Sequence, residues 1–460
     1  MPDFITFTAH FKLHPMDADF DIRYTDRPIT PFGGLTTVKN FYQNSGLQDV
    51  ISALPLPQSG SNRGYDPVDI IEGFPVSVIL GARRLAHAGL LRHDKVVSEM
   101  FGWTKGMASE STFSRFFKKF DVDLNDEVFI ELNRWWFTKL KMKHHTVDID
   151  STVITRYGSQ DGVEVGYNPR KPGRGSHHPL IAFAAEAKMV IQSWMRTGDN
   201  VSSTDIEDFM AVLLKTLDKS NIGLVRADSG FFSETTLSIL EENELKYIVA
   251  AKMYAGLVQK IFEADNWVSY SDGIDMCSIE CKLTGWDHSR RVMVVRKSKS
   301  KYQNSGGKSL FEEYDEFSNY LYSAFATNLG LADPLIWELY RHRAEAETQI
   351  RELKESYGLD GFCCEEFGAT EAAFRWVCVA YNLMSLYKIA LINSKHDPTL
   401  ATLKFQCIAI ASYLVRHSRK TTLVMSVNDR RRAFFYGLFQ KIENITPKSK
   451  FLLKKKFLMN

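Results

Sequence analysis

His145-Thr146-Val147-Asp148-Ile149-Asp150-Ser151-Thr152-Val153-Ile154 is rich in β-formers and alternates. Val147 and Ile149 fall on one face of the strand it predicts, and Asp148 and Asp150 on the other. Aspartate is disfavoured in strands, so two on one face imply a compensating role. Before Lys143 the pattern is helical. After it, strand signals recur over residues 181–196, 222–227 and 247–251. Ile222-Gly223-Leu224-Val225-Arg226-Ala227 is short and apolar, and Asp228 stands at its carboxyl end ahead of Ser229-Gly230. Thr204-Asp205-Ile206-Glu207 reads as a capping box opening a helix through Leu217, and Ser233 as the cap of a helix to Asn243. Strands followed by helices predict a mixed α/β domain. In such a sheet a carboxylate at a strand's carboxyl end is well placed for a site.

Residues 333–355 predict one long helix. Asp333 suits its cap, Pro334 its first turn and Gly358 its end. At about 3.6 residues per turn, Tyr340, Arg343, Glu347, Arg351 and Lys354 line one stripe beside the apolar Leu339, Ala346, Ile350, Leu353 and Tyr357. Charges bordering a buried strip need partners or a ligand. A ladder of pairs, Arg343 with Glu347 and Glu347 with Arg351, is the plainer reading. Tyr340, two residues, Arg343, three residues, Glu347, six residues, Lys354 fits the Y-(2)-R-(3)-E-(6)-K signature without a gap. In this the chain resembles the bacterial insertion-sequence transposases of the DDE type.

The resemblance implies an α/β, ribonuclease-H-like catalytic domain built around a strand aspartate, a strand-end aspartate and a helix glutamate. Asp150, Asp228 and Glu347 take those places; Asp148 competes for the first, but Asp150 precedes Ser151-Thr152, the better fit to the family's pattern. The implied division is a helical DNA-binding region over 1–140, a catalytic domain over 141–360 with a β-rich insertion at about 255–318, and a helical basic region over 361–460. The implied cofactor is a pair of Mg²⁺ ions, with Mn²⁺ as a substitute, held by the three carboxylates. Magnesium prefers oxygen ligands, and two ions roughly 4 Å apart suit phosphodiester chemistry. Tyr340, Arg343, Arg351 and Lys354 would meet transposon-end DNA. The implied activity is cleavage and strand transfer on double-stranded DNA, both transposon ends and target, by a homodimer in the bacterial cytoplasm at the nucleoid. An inactive, transposase-derived DNA-binding regulator and a metal-dependent nuclease without strand transfer are the competing functions.

Composition sets outer bounds. The chain has 460 residues, 44% hydrophobic and 24% charged, as globular proteins do. No run reaches the ~18 apolar residues of a membrane span, and no signal peptide is apparent at the N-terminus. Six cysteines without CxxC or zinc spacing read as free thiols of a reducing cytoplasm. From Leu391 onward 14 Lys/Arg face 3 Asp/Glu, a net of +11 within a whole-chain +2, which leaves −9 on the rest. A basic tail, closed by Arg430-Arg431-Arg432 and Lys454-Lys455-Lys456, suggests a polyanion held at one end. Residues 94–101 and 109–120 read as a helix-turn-helix, with Phe113, Phe116, Phe117 and Phe120 inward and Ser111, Arg115 and Lys118 facing phosphates or bases. Residues 166–175 form a loop with Arg170, Lys171 and Arg174; His177-His178 beyond it read as a solvated structural loop, with DNA binding the alternative. Residues 401–416 read as helix, and Trp267 and Trp286 as packed sheet residues rather than base-stacking platforms.

Overall fold

The computed structural model describes residues 25–61, 63–302, 306–310, 318–392, 397–418 and 420–453; Lys454-Lys455-Lys456 lie outside them. One large sheet organises the chain. Its strands, numbered in chain order, are β1 His145–Ser151, β2 Leu180–Ala184, β3 Met189–Trp194, β4 Ile222–Ala227 and β5 Tyr247–Ala250, then β6 Val268–Ser271, β7 Ile274–Cys281, β8 Arg290–Ser298, β9 Lys308–Ser309 and β10 Tyr320–Thr327. Across the sheet they run β6-β7-β8-β10-β5-β4-β1-β2-β3, with β9 added to β10. β1 pairs parallel with β4, and β4 with β5. The remaining pairs are antiparallel. The β-rich segment between Asp228 and Glu347 therefore extends the same sheet beyond β5.

Both faces of the central strands are buried, as the apolar runs of β4 and β5 require. One face, with Val147, Ile149, Val225, Ala227 and Val249, joins the main core under the helix Phe367–Leu391. The other, with Leu224, Ile248, Met293, Val295 and Phe325, lies under Ile336 and Trp337 of the helix Asp333–Arg341. Alternation puts Asp148, Asp150, Arg226 and Asp228 on this second face, at the carboxyl ends of β1 and β4.

The expected single helix over 333–355 is two: Asp333–Arg341 and Ala344–Tyr357, with a turn at His342-Arg343. No Gly or Pro causes the break. The Arg343 amide bonds to the Tyr340 carbonyl at 2.8 Å, one residue short of the α-helical partner. The Leu339 carbonyl, which that amide would have served, accepts instead from Arg226 Nη1 on β4. Nor does Asp333 cap the first helix: Ala332 holds that position, and Asp333 accepts from Arg291 Nη2 at 2.7 Å. Gly358 does end the second helix, in the left-handed conformation at φ 66°.

Two more expectations fail for reasons of packing. The tail is not all helix. After Leu400–Leu403 and one π-turn, Ser412–His417 and Lys420–Met425 form a hairpin that Ile29–Thr30 joins. Tyr413-Leu414-Val415 and Thr421-Thr422-Leu423-Val424 are strong β-formers. The capping box at Thr204 does not form: Asp205 stands at the N-cap with φ 58° and makes no cap bond, while Thr204 Oγ1 accepts from Val201 N at 3.2 Å. The paired helices upstream do form, as Lys95–Phe101 capped by Asp94 and Glu110–Phe117 capped by Ser109, with Phe113, Phe116, Phe117 and Phe120 buried. Trp286 is buried against Phe232, and Trp267 lies half-buried beneath the Arg296 guanidinium at 4.3 Å. All six cysteines are free. Among the described residues no helix is long and apolar enough to cross a membrane.

Candidate active site

Register brings the first two acids together. In the parallel pair of β1 and β4, Asp148 stands opposite Arg226 and Ile149 opposite Ala227. One step further along, Asp150 and Asp228 are neighbours on strands about 4.8 Å apart. Asp150 is 6% exposed, and its Oδ1 accepts from the Ser151 amide at 2.9 Å. Asp228 closes the turn after β4, its Oδ1 accepting from the Gly230 amide at 2.8 Å.

The helix Ala344–Tyr357 leans over the same edge. Arg343, just before it, is buried: its Nη2 lies 3.2 Å from Asp150 Oδ1 and donates to the Ile149 carbonyl at 3.4 Å. Its Nη1 lies 3.9 Å from Glu347 Oε1, so the guanidinium sits between two of the three acids. Lys354 Nζ donates to Thr152 Oγ1 at 2.7 Å and to the Val153 carbonyl at 2.9 Å, tying the helix to the chain leaving β1. Tyr340 packs on Phe325, ring centroids 4.4 Å apart. One cleft of about 760 Å³ contains Asp150, Asp228, Glu347, Tyr340, Arg343, Arg351 and Lys354, with Arg83 and Arg170 also lining it.

The electrostatics follow from that crowding. Burial pushes the Asp150 carboxyl up to about 6; Arg343 opposes the rise, and Asp228 and Glu347 add to it. Burial likewise pushes Tyr340 up to about 12, so its hydroxyl stays protonated, and lowers the Lys354 ammonium.

Asp148 has a different occupation. Arg226 Nε reaches its Oδ1 at 2.6 Å and Nη2 its Oδ2 at 2.8 Å, with the two side chains 4% and 0% exposed. Both carboxylate oxygens are committed to this fork. Removing one partner of a buried pair costs roughly 3–5 kcal/mol.

The donor chemistry of the cleft fits hard divalent cations: Asp150, Asp228, Glu347, Glu355 and Asp360 line it, with no thiol among them. The spacing shown is open. Among the described residues no three Asp, Glu, His or Cys side chains stand close enough to clasp one ion. Glu347 is 73% exposed within the cleft, and the Arg343 guanidinium lies between it and Asp150.

Residues 18–447 match the family described as transposase DDE domain group 1. The chain belongs to that family. Comparison with curated proteins gives no match. Among solved structures the transposase is similar to a piggyBac transposase in a synaptic complex with hairpin DNA, with 11% identity, covering 92% of this chain and 88% of that one. The TM-score of 0.44 makes that likeness too loose to support any inference.

Elsewhere in this transposase the predicted site residues scatter. Arg115 Nε donates to the Ser111 carbonyl of its own helix at 3.1 Å, and Lys118 is ion-paired with Glu366; neither lines the cleft. His177 and His178 are not solvated, at 0% and 4% exposure. His177 Nδ1 accepts from Arg156 Nε at 3.1 Å, and its Nε2 donates to the Asp161 carbonyl at 3.0 Å. His178 Nε2 lies 3.1 Å from Ser151 Oγ, and its Nδ1 2.6 Å from the Asn200 carbonyl, so it braces the residue after Asp150. Sequence reasoning gives Arg226 no role and reads His178 as a loop histidine rather than as the brace of Ser151. The signal for Arg226 was there: a charged side chain in an apolar strand, in phase with Asp228.

Proposed function

We propose that this transposase binds inverted repeats at transposon ends and catalyses metal-dependent DNA cleavage and strand transfer, with Asp150, Asp228 and Glu347 as its three acids. The β1–β4 register carries this reading, because it sets Asp150 beside Asp228 under the helix that bears Glu347. The order β3-β2-β1-β4-β5, three antiparallel strands followed by two parallel ones, supports a ribonuclease-H-like domain. The residues from Tyr340 to Lys354 support the insertion-sequence branch. The fork between Asp148 and Arg226 favours Asp150 as the first acid, since Asp148 has no oxygen to spare.

Asp150, Asp228 and Glu347 would hold two Mg²⁺ ions, or Mn²⁺ in their place, which supply charge neutralisation at the phosphate and an activated oxygen nucleophile. The chain's own residues do the rest. Arg343, Arg351 and Lys354 line the cleft with positive charge for phosphates of the bound strand. Tyr340, kept protonated, offers a hydroxyl donor beside them. His178 holds Ser151, and Lys354 holds Thr152 and Val153, so the chain leaving Asp150 is steadied. A homodimer would act on paired ends at the bacterial nucleoid.

A plasmid carrying the coding region with its native flanking DNA tests the reading. The parent is expected to cut at the flanks in Mg²⁺, and Asp150→Ala to bind them without cutting. Equal cutting by both removes the assignment. Precut ends offered a target plasmid separate the alternatives: joined product marks a transposase, cutting without joining a nuclease, and binding alone a regulator.

A further inference from the structure

We propose that Asp148 and Arg226 are positioning residues, a buried pair that creates the helix break before Glu347 and so aims the third acid at the other two. The inference rests on the catalytic reading above, but on different atoms.

The geometry leads from sheet to helix in three contacts. Asp148 lies two residues before Asp150 on β1, and Arg226 two residues before Asp228 on β4, so the pair forms the rung beneath the two acids. The carboxylate grips Nε and Nη2 at 2.6 and 2.8 Å, which fixes the plane of the guanidinium. That leaves Nη1, and Nη1 donates to the Leu339 carbonyl. Residues 339–347 carry helix-forming side chains with neither Gly nor Pro, so an uninterrupted helix is the local preference. A continuous helix would need the Leu339 carbonyl for the Arg343 amide. The arginine takes that carbonyl, the Arg343 amide turns to Tyr340, and the second helix restarts with the Ala346 amide on the Arg343 carbonyl at 2.9 Å. Glu347 lies four residues beyond Arg343, so the direction of the restart sets where its carboxylate can reach. Because the guanidinium belongs to the strand that carries Asp228, the break is referenced to the site itself.

The test separates aim from stability. In Asp148→Leu/Arg226→Met no buried charge is left unpaired, and replacing a buried pair by apolar side chains of similar size is often neutral for folding. The Leu339 carbonyl nonetheless loses its donor. Parent, double variant, Arg226→Lys and the inactive control Asp150→Ala are compared on the plasmid above. The readouts are Mg²⁺-dependent cutting, Kd for the flanking DNA, and amide hydrogen exchange over residues 339–347. The double variant is expected to cut roughly 10- to 100-fold more slowly, since displacement by about 1 Å has effects of that size. Its Kd should be unchanged and its exchange over 339–347 slower, as the Arg343 amide regains the Leu339 carbonyl and the helix runs on. Parental cutting by a folded double variant overturns the proposal, as does slow cutting with parental exchange. If the double variant does not fold, Arg226→Lys decides by the same criteria, because an ammonium cannot grip both carboxylate oxygens and the carbonyl together. A parent that never cuts, in Mg²⁺ or Mn²⁺, sinks the catalytic reading instead; the exchange measurement then decides the positioning claim alone.

Discussion

Two acids of this cleft are placed by a sheet and the third by a helix. Asp150 and Asp228 stand at the ends of adjacent strands whose register is fixed by backbone hydrogen bonds and by apolar packing on both faces. Glu347 sits on the first turn after a break, 73% exposed, with its nearest cation 3.9 Å away. The sheet pair is held in place whether or not anything is bound. The helix acid owes its place to side chains: Arg226 at the break, Arg343 beside Asp150, Lys354 on the chain leaving β1. Losses at the two halves should therefore differ in kind. Damage to the sheet pair removes chemistry, whereas damage around the helix removes aim.

The largest expected effects test that division directly. If Asp150 and Asp228 hold the metal ions as proposed, Asp150→Ala and Asp228→Ala should each remove several kcal/mol of transition-state stabilisation, about 10³-fold in cutting rate. Glu347→Asp keeps the charge but withdraws it by one methylene, and should cost about 10²-fold, as misplacements of about 1 Å do. Single-turnover cutting with DNA binding measured alongside ranks them. If Glu347→Asp is as dead as Asp150→Ala, the helix acid has no slack and the contrast fails.

Stability against pH offers a second contrast. Burial lifts the Asp150 carboxyl from 3.8 to about 6 in the metal-free protein. A raised folded value means the stability this group contributes is fully present below 3.8 and is lost as pH rises through 6. The amount is on the order of 3 kcal/mol. In EDTA at pH 8, Asp150→Asn should melt above the parent, and the gap should close by pH 4. Glu347→Gln, on an exposed turn, should leave the melting temperature nearly where it was. Equal stabilisation by both variants would mean that both acids are buried and crowded alike.

How far the sequence revealed this site follows the same line. Period-two alternation through Val147, Asp148, Ile149 and Asp150, and an aspartate after an apolar strand, are local signals, and both acids lie where such signals put them. Residue spacing also marked Glu347, through the family signature. The break at His342-Arg343 was not legible, because its cause is Arg226, more than a hundred residues away. The same holds for Asp148, whose partner is chosen by strand register. His177 and His178 looked like loop residues because what buries them, Asp161, Arg156 and Asn200, is close only in the fold. In the tail, Tyr413-Leu414-Val415 could satisfy a helix or a strand, and pairing with Lys420–Met425 and Ile29–Thr30 settled it.

The smallest expected effect concerns cations outside the cleft, and it sharpens the contrast by extending it to DNA. Arg351 is exposed within the cleft, on the face it shares with Glu347. Lys118 is exposed as well, but Glu366 already neutralises it, and Arg115 is turned back onto the Ser111 carbonyl. A cation that meets a phosphate releases about one counterion, so its loss lowers the slope of log K against log salt by roughly 1. Arg351→Ala should do so. Lys118→Ala should change the slope by clearly less, because the lysine must first give up Glu366. Titrating flanking DNA at several salt concentrations measures both slopes. A full unit lost with Lys118→Ala would place a phosphate at the Glu110–Phe117 helix and make that helix part of the DNA footprint, while no loss with Arg351→Ala would take DNA out of the cleft.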